Sequence, residues 1–425
     1  MKKIVSGLLM LSMLFTLAGC RQDEGDISIE GQTMPVQQTP TDTNENAEEE
    51  RLPEQTAKPE TSGEKQTNSP SSSTPSEGKQ NPVQNTDSPT PATEGGNKEE
   101  NTLEYSLEKE VRFFGRTYEA DGIYWFDMTL SGFEFSFNGT GAQAVLCTES
   151  GGADHTAYIK VYVDGAKATS MAINEDMQTV TLAKNLKKGQ HTVRVVKRTN
   201  ARSSSAGLYS LTLAKGGTKL APPAGKTRKM EFIGDSLTVG YGAIATSATA
   251  KWSTATEDGT QTFAALTADH FNAEAQTVAV SGRGMVHNVD GDSDKLLPEL
   301  FEYADLYHSS QKWNFSRYQP DVVVINAGTN DKVTTQAEMK TAMSSFIKNV
   351  RSKYKNAYII LAYSPSSNDF TNTYKSIVKG QSKMSFVSLP VLSAEQKALG
   401  HPNTAGHKLW AQTLEKHIES LGIWK

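Results

Sequence analysis

Four short blocks of the chain carry residues suited to acyl transfer: Gly234-Asp235-Ser236-Leu237, Ser281-Gly282-Arg283-Gly284, Gly328-Thr329-Asn330-Asp331 and His401-Pro402-Asn403. A serine hydroxyl is a poor nucleophile alone and needs a base within hydrogen-bond reach. Ser236 supplies the hydroxyl and His401 an imidazole. A tetrahedral intermediate also needs donors aimed at its developing negative oxygen. Glycine at 282 lets the backbone approach a substrate closely and turn its N–H inward. Asn330 adds an uncharged donor that needs no proton of its own. Taken singly, such blocks are ordinary turns, loops and structural histidines. Their weight lies in all four occurring together and in order.

These residues need elements to position them. Residues 230–233, 276–280, 322–325, 358–361 and 386–389 are short apolar runs suited to buried parallel strands. Between them, Met339, Met343, Phe346, Ile347 and Val350 follow a helical period, as do Trp410, Leu414, Ile418 and Leu421. Strands alternating with helices predict a doubly wound parallel α/β sheet, whose chemistry sits at the carboxyl ends of the strands. Three of the four blocks follow such ends. Upstream the period changes to two. Phe133/Phe135/Phe137, Ile159/Val161/Val163, Val180/Leu182, Val193/Val195 and Tyr209/Leu211/Leu213 alternate, with Asp164-Gly165 as a turn. A jelly-roll-like β-sandwich is expected over 105–220. Ala221-Pro222-Pro223-Ala224-Gly225 reads as a linker to the α/β domain, 228–425.

Over 228–425 the blocks resemble the SGNH/GDSL hydrolase superfamily. That resemblance implies Ser236 as nucleophile and His401 as general base. It also implies an oxyanion hole made by the N–H groups of Ser236 and Gly282 and the amide of Asn330. Phe315-Ser316-Arg317-Tyr318-Gln319-Pro320-Asp321, Ser281-Gly282-Arg283-Gly284 and the upstream sandwich narrow it. Over 105–425 the chain resembles carbohydrate esterase family 2, the acetylxylan esterase-like enzymes. The resemblance implies removal of acetyl groups from acetylated xylan or glucomannan, often from sugar 6-hydroxyls, with no cofactor. One position departs from the superfamily, which has an aspartate three residues before the histidine. Here that residue is Ala398, and the nearest acid is Glu395. Family 2 implies a histidine held by a main-chain carbonyl instead, with an inward Glu395 as the alternative. A carbonyl fixes the tautomer but supports imidazolium less than a carboxylate does.

The remaining candidates have plainer readings. His407 lacks the spacing of a zinc site, so no metal is expected, and it reads as a helix residue near the site entrance. Asp235 and Asp331 read as loop anchors. Tyr241, Trp252 and Trp313 serve equally well as a sugar-stacking wall or as core. Thr238 stands where an α/β-hydrolase needs its second glycine, which disfavours that fold. Two other functions compete: the same machinery acting on peptidoglycan O-acetyl or lipid acyl esters, and a non-catalytic surface protein that binds carbohydrate. The four intact blocks speak against the latter.

The N-terminus is an address. Lys2 and Lys3 precede an apolar stretch, 4–17, that ends in Leu17-Ala18-Gly19-Cys20, the layout of a signal peptide over 1–20. The last four residues resemble the bacterial lipobox, which implies lipidation of Cys20 and an extracytoplasmic, surface-exposed protein anchored in the cell membrane. Residues 21–104 contain no aromatic residue, 9 of the 16 prolines, and 18 acidic against 6 basic side chains. They cannot bury enough apolar surface to offset their ordering entropy and are expected to form a disordered acidic tether. The net charge of −5 therefore conceals a surplus of about five positive charges over 105–425. No basic cluster with interleaved aromatics suggests nucleic acid as a partner. With Cys20 lipidated, Cys147 has no disulfide partner and reads as a buried, inert thiol.

Overall fold

The computed structural model describes residues 103–306, 311–366 and 368–425. Cys20, the expected signal peptide and all but the last two residues of the expected tether lie outside the described residues. Those two, Leu103–Glu104, form a strand paired with Leu213 and Thr212, so the sandwich includes residues before 105.

Two six-stranded antiparallel sheets build the sandwich. One runs in the order Tyr118–Ala120, Ile123–Trp125, Gly207–Leu213, Ala142–Cys147, Met177–Ala183, with Leu103–Glu104 on Gly207–Leu213. The other runs Thr218–Leu220, Gly132–Gly139, Gly189–Lys197, Ala157–Val163, Thr169–Ile173, with Arg112–Phe114 on Gly132–Gly139. Phe133, Phe135 and Phe137 point into the core with Ile159, Val161, Val193, Val195, Leu208 and Leu211, as their period of two predicts. The intervening Glu134 is buried too, at 5% exposure. The outer face of its strand is covered. There Glu134 holds Arg112 at 2.7 Å and Arg194 at 2.6 Å, and Arg112 reaches Glu274 of the α/β domain at 2.6 Å.

The second domain is a five-stranded all-parallel sheet: β1 (Arg228–Gly234), β2 (Ala273–Ala279), β3 (Val322–Asn326), β4 (Tyr358–Tyr363) and β5 (Met384–Ser388). The spatial order is 2-1-3-4-5. Alternate residues serve opposite faces. Ile233, Val323, Ile325, Ile359 and Leu361 pack under α2 (Gln336–Lys353) and α3 (Thr371–Val378). Phe232, Val322, Val324, Ile360 and Ala362 pack under α1 (Phe263–His270) and α4 (Thr404–Leu421). Both long helices start at side-chain caps. Thr335 and Glu338 form a capping box before α2, and Asn403 accepts from the N–H groups of Ala405 and Gly406 before α4. The strand order reverses between β1 and β3, so loops leaving these neighbours diverge and open a crevice at their carboxyl ends.

Side chains from both domains close the seam between them. Arg116 of the sandwich is fully buried. It pairs with Glu231 of β1 at 3.0 Å and donates to the carbonyls of Phe301 and Tyr303. The rings of Phe301, Trp313 and Phe315 surround its guanidinium.

Candidate active site

Ser236 opens a one-turn helix, Ser236–Val239, directly after β1. Asp235 caps it, its carboxylate accepting the Leu237 N–H at 3.0 Å. The chain thus turns sharply out of the strand and leaves Ser236 only 6% exposed on the floor of the crevice.

His401 arrives from a two-residue hairpin that pairs Lys397–Ala398 with His401–Pro402. The turn residues Leu399 and Gly400 have φ of 52° and 70°, both positive, as the tight hairpin turns of mirror-image type require. Leucine adopts such a φ reluctantly. The turn brings the Leu399 carbonyl within 2.8 Å of His401 Nδ1, while His401 Nε2 lies 2.8 Å from Ser236 Oγ. A carbonyl only accepts, so Nδ1 carries the proton and the Nε2 lone pair faces the serine hydroxyl. Burial lowers the His401 pKa below the ordinary 6.5, against a smaller opposing pull from the Leu399 carbonyl. Ala398 sits buried directly opposite His401 in the hairpin. The exposed Glu395 accepts from Ser393 Oγ at 2.7 Å and does not meet the imidazole ring.

The β2 loop contributes Gly282, whose φ of +80° is in the left-handed region that favours glycine. Asn330, from the β3 loop, donates its Nδ2 to the Arg283 carbonyl at 2.9 Å and to Asp235 Oδ2 at 3.3 Å. These bonds tie the Ser236, Gly282 and Asn330 loops together. Asp331 locks the β2 loop further by accepting the N–H groups of Met285, Val286 and His287 at 2.9, 2.7 and 3.0 Å. Asp235 is fully enclosed. Burial pushes its carboxyl up to about 7, with Asp331 adding to the rise and the Leu237 N–H opposing it. Neither the Ser236 nor the Gly282 N–H donates a hydrogen bond among the described residues. Both remain available to a ligand oxygen.

The aromatic candidates separate. Tyr241 packs 4.5 Å from the His401 ring and stacks on Trp252 at 5.4 Å, both half-buried beside the crevice. Trp313 is elsewhere, buried in the domain seam between Arg116 and Arg317. His407 is not at the entrance. It lies fully buried on α4, where Nδ1 accepts the Phe263 N–H at 3.3 Å, and burial depresses its pKa to about 3. Among the described residues no group of three or more His, Cys, Asp or Glu is placed to hold a metal ion. Cys147 is buried beside Tyr118 and Trp125, and burial raises its thiol pKa.

Two sandwich residues reach this region, and no motif marked either in the sequence. His155 packs edge-on against Trp252 at 5.2 Å. Arg202, in the loop between strands Gly189–Lys197 and Gly207–Leu213, donates from Nη1 to the Ser281 carbonyl at 3.2 Å.

Comparison with known proteins agrees with this architecture. Residues 113–223 match the family model of the carbohydrate esterase 2 N-terminal domain, and residues 232–409 that of the GDSL-like lipase/acylhydrolase family. The cellulase/esterase CelE of Acetivibrio thermocellus is 32% identical over 312 residues, which is 69% of this chain but only 37% of that protein. An acetylxylan esterase / glucomannan deacetylase of Cellvibrio japonicus is 26% identical over 292 residues, 66% of this chain and 80% of that one. The solved structure of a family two carbohydrate esterase from Clostridium thermocellum, in complex with cellohexaose, superposes with a TM-score of 0.68 at 29% identity. It covers 74% of this chain and 99% of that chain. With a family-2 sandwich leading into a GDSL-like hydrolase domain, the chain belongs to carbohydrate esterase family 2.

Proposed function

We propose that the protein is a serine esterase that removes O-acetyl groups from polysaccharides such as acetylated xylan or glucomannan. The observation that carries this reading is the relay from Ser236 Oγ through His401 to the Leu399 carbonyl, both links 2.8 Å. Ser236 attacks the acetyl carbonyl while His401 Nε2 takes its proton. The oxyanion is met by the N–H groups of Ser236 and Gly282 and by Asn330 Nδ2, whose long 3.3 Å bond to Asp235 is the one given up. The imidazolium returns its proton to the sugar oxygen as the C–O bond breaks. Water, deprotonated by the same histidine, then attacks acetyl-Ser236, and the imidazolium returns that proton to Ser236 Oγ as the acyl C–O bond breaks and acetate leaves. Leu399 holds the ring in the required tautomer throughout, the part an aspartate plays in a triad.

The names of the relatives support the substrate class. Tyr241 and Trp252, stacked on each other and half-buried beside His401, place aromatic surface of the kind sugar rings pack against next to the relay. Acetate release from acetylated glucomannan and xylan by the full chain, beside Ser236→Ala, tests the proposal. The parent should release acetate. The variant should lose activity on the order of ten-thousandfold or more while melting at the parent temperature. Cleavage of a simple aryl acetate with no release from either polysaccharide would keep the serine chemistry and redirect the search to peptidoglycan O-acetyl or lipid acyl esters.

The N-terminal residues complete the reading. Signal peptide 1–20, a lipid on Cys20 and tether 21–104 would hold the enzyme outside the cell membrane, spaced from its surface. Among the described residues no helix is long and apolar enough to cross a membrane. Cys20→Ala should move the protein from the membrane pellet to the soluble fraction and abolish incorporation of labelled palmitate. A variant that still labels and pellets would rule out this anchor.

A further inference from the structure

We propose that Arg202 of the β-sandwich is a positioning residue for the oxyanion hole, acting on the Ser281–Gly282 peptide. This inference rests on the esterase reading above. The Ser281 carbonyl, which accepts from Arg202 Nη1 at 3.2 Å, belongs to the same peptide group as the Gly282 N–H. In a trans peptide the two point in opposite directions, so a donor fixed on the carbonyl aims the N–H. A guanidinium is a charged donor, and bonds from charged donors are roughly twice as strong as neutral ones. Drawing electron density to the carbonyl oxygen also makes the N–H a better donor, the polarisation by which hydrogen bonds in series strengthen one another.

The choice of glycine at 282 agrees with this contact. A Cβ built there would lie 2.5 Å from Arg202 Nη1, so any side chain would push the guanidinium off the peptide, beyond the strain at φ +80°. Arg202 is itself exposed, and its loop is held separately by the Arg202 N–H donating to Asn200 Oδ1 at 3.1 Å. Shortening the side chain should therefore leave the fold intact. The sandwich thus completes the active site through an electrostatic contact with its most sensitive peptide.

The test is the kinetics of full-chain Arg202→Met and Arg202→Lys on an aryl acetate, a substrate with no sugar for the arginine to touch. Arg202→Met should lower kcat about tenfold, a fraction of the hundredfold to thousandfold typical of losing a whole oxyanion donor. KM should stay within twofold. The affinity for a boronic acid that forms a tetrahedral adduct on Ser236 should fall by the same factor as kcat/KM. Arg202→Lys should recover part of the loss, and added methylguanidinium should partly rescue Arg202→Ala. If a folded Arg202→Met keeps kcat and boronic acid affinity within twofold of the parent, the proposal is wrong. A loss confined to KM on polysaccharide would also overturn it and make Arg202 a sugar contact. Persistence of parent-level turnover in Ser236→Ala would instead refute the esterase reading beneath it.

Discussion

In the proposed reaction His401 faces two opposed demands. It must be neutral to accept the Ser236 proton, and it must tolerate becoming a cation afterwards. Burial favours the neutral ring and lowers its pKa, while the Leu399 carbonyl favours the charged form weakly, as a dipole rather than a full charge. The consequence is a pH prediction. A base with a depressed pKa stays neutral as the pH falls through 6.5 and becomes protonated only below that. The acid limb of kcat/KM should therefore have its midpoint under 6.5, since kcat/KM reports the free enzyme. A rate-against-pH series on an aryl acetate checks this. A midpoint at or above 6.5 would mean that a carboxylate supports the ring after all. At this scale the sequence was most legible for Ser236 and His401, which the fold brings to 2.8 Å, because the proposed nucleophile and base must be particular residue types. It was least legible for Leu399, which contributes only a carbonyl that every residue possesses. The resemblance to family 2, with which the missing acid at 398 agrees, implied a carbonyl partner, and the hairpin places that of Leu399 at 2.8 Å.

At the scale of elements, the loops after β1, β2 and β3 form one hydrogen-bonded unit through Asp235, Asn330 and Asp331. Asp331 alone satisfies three consecutive N–H groups of the β2 loop. Removing it leaves those donors without a partner and frees the segment that carries Gly282. Asp331→Ala should therefore lower kcat about tenfold to a hundredfold, the scale expected when a catalytic group is displaced by an ångström or so. Amide hydrogen exchange at Met285, Val286 and His287 should quicken in the same variant, and unchanged exchange would rule out the clamp. The strands and helices that present these loops were readable from periodicity, because burial on both faces of a parallel sheet demands continuous apolar runs. His407 was misplaced for the converse reason. A histidine on a helix carries no mark of which face it occupies until α4 is seen to press it against Phe263.

For the whole molecule, the seam between sandwich and α/β domain is built partly of charge. Arg116 and Glu231 are both fully buried, and Glu231 also accepts from Gln276 Nε2 at 2.7 Å. Arg116→Met would strand an anion in the interior, a change that costs about 3–5 kcal/mol. Its chemical denaturation midpoint should fall sharply, and adding Glu231→Gln should restore part of the loss. If the single variant melts like the parent, the pair does not hold the seam. Because Arg202 and His155 both enter the site region from the sandwich, loosening the seam should reach the chemistry as well as the stability.

The sequence by itself determined the chemistry on offer and the two architectures, since nucleophile, base and hydrophobic period are properties of residue type and spacing. It could not place Trp313 in the seam or Tyr241 and Trp252 beside His401, because an aromatic ring suits a core and a cleft equally. Nor could it show Glu134 covered, Leu399 facing the imidazole or Arg202 lying on the Gly282 peptide. Those depend on groups brought together across 162, 2 and 79 positions of chain, respectively, the first being Arg112 and Glu274 over Glu134. The packing of two domains and the dihedral angles of one turn decided them, and neither leaves a periodic trace in the order of residues.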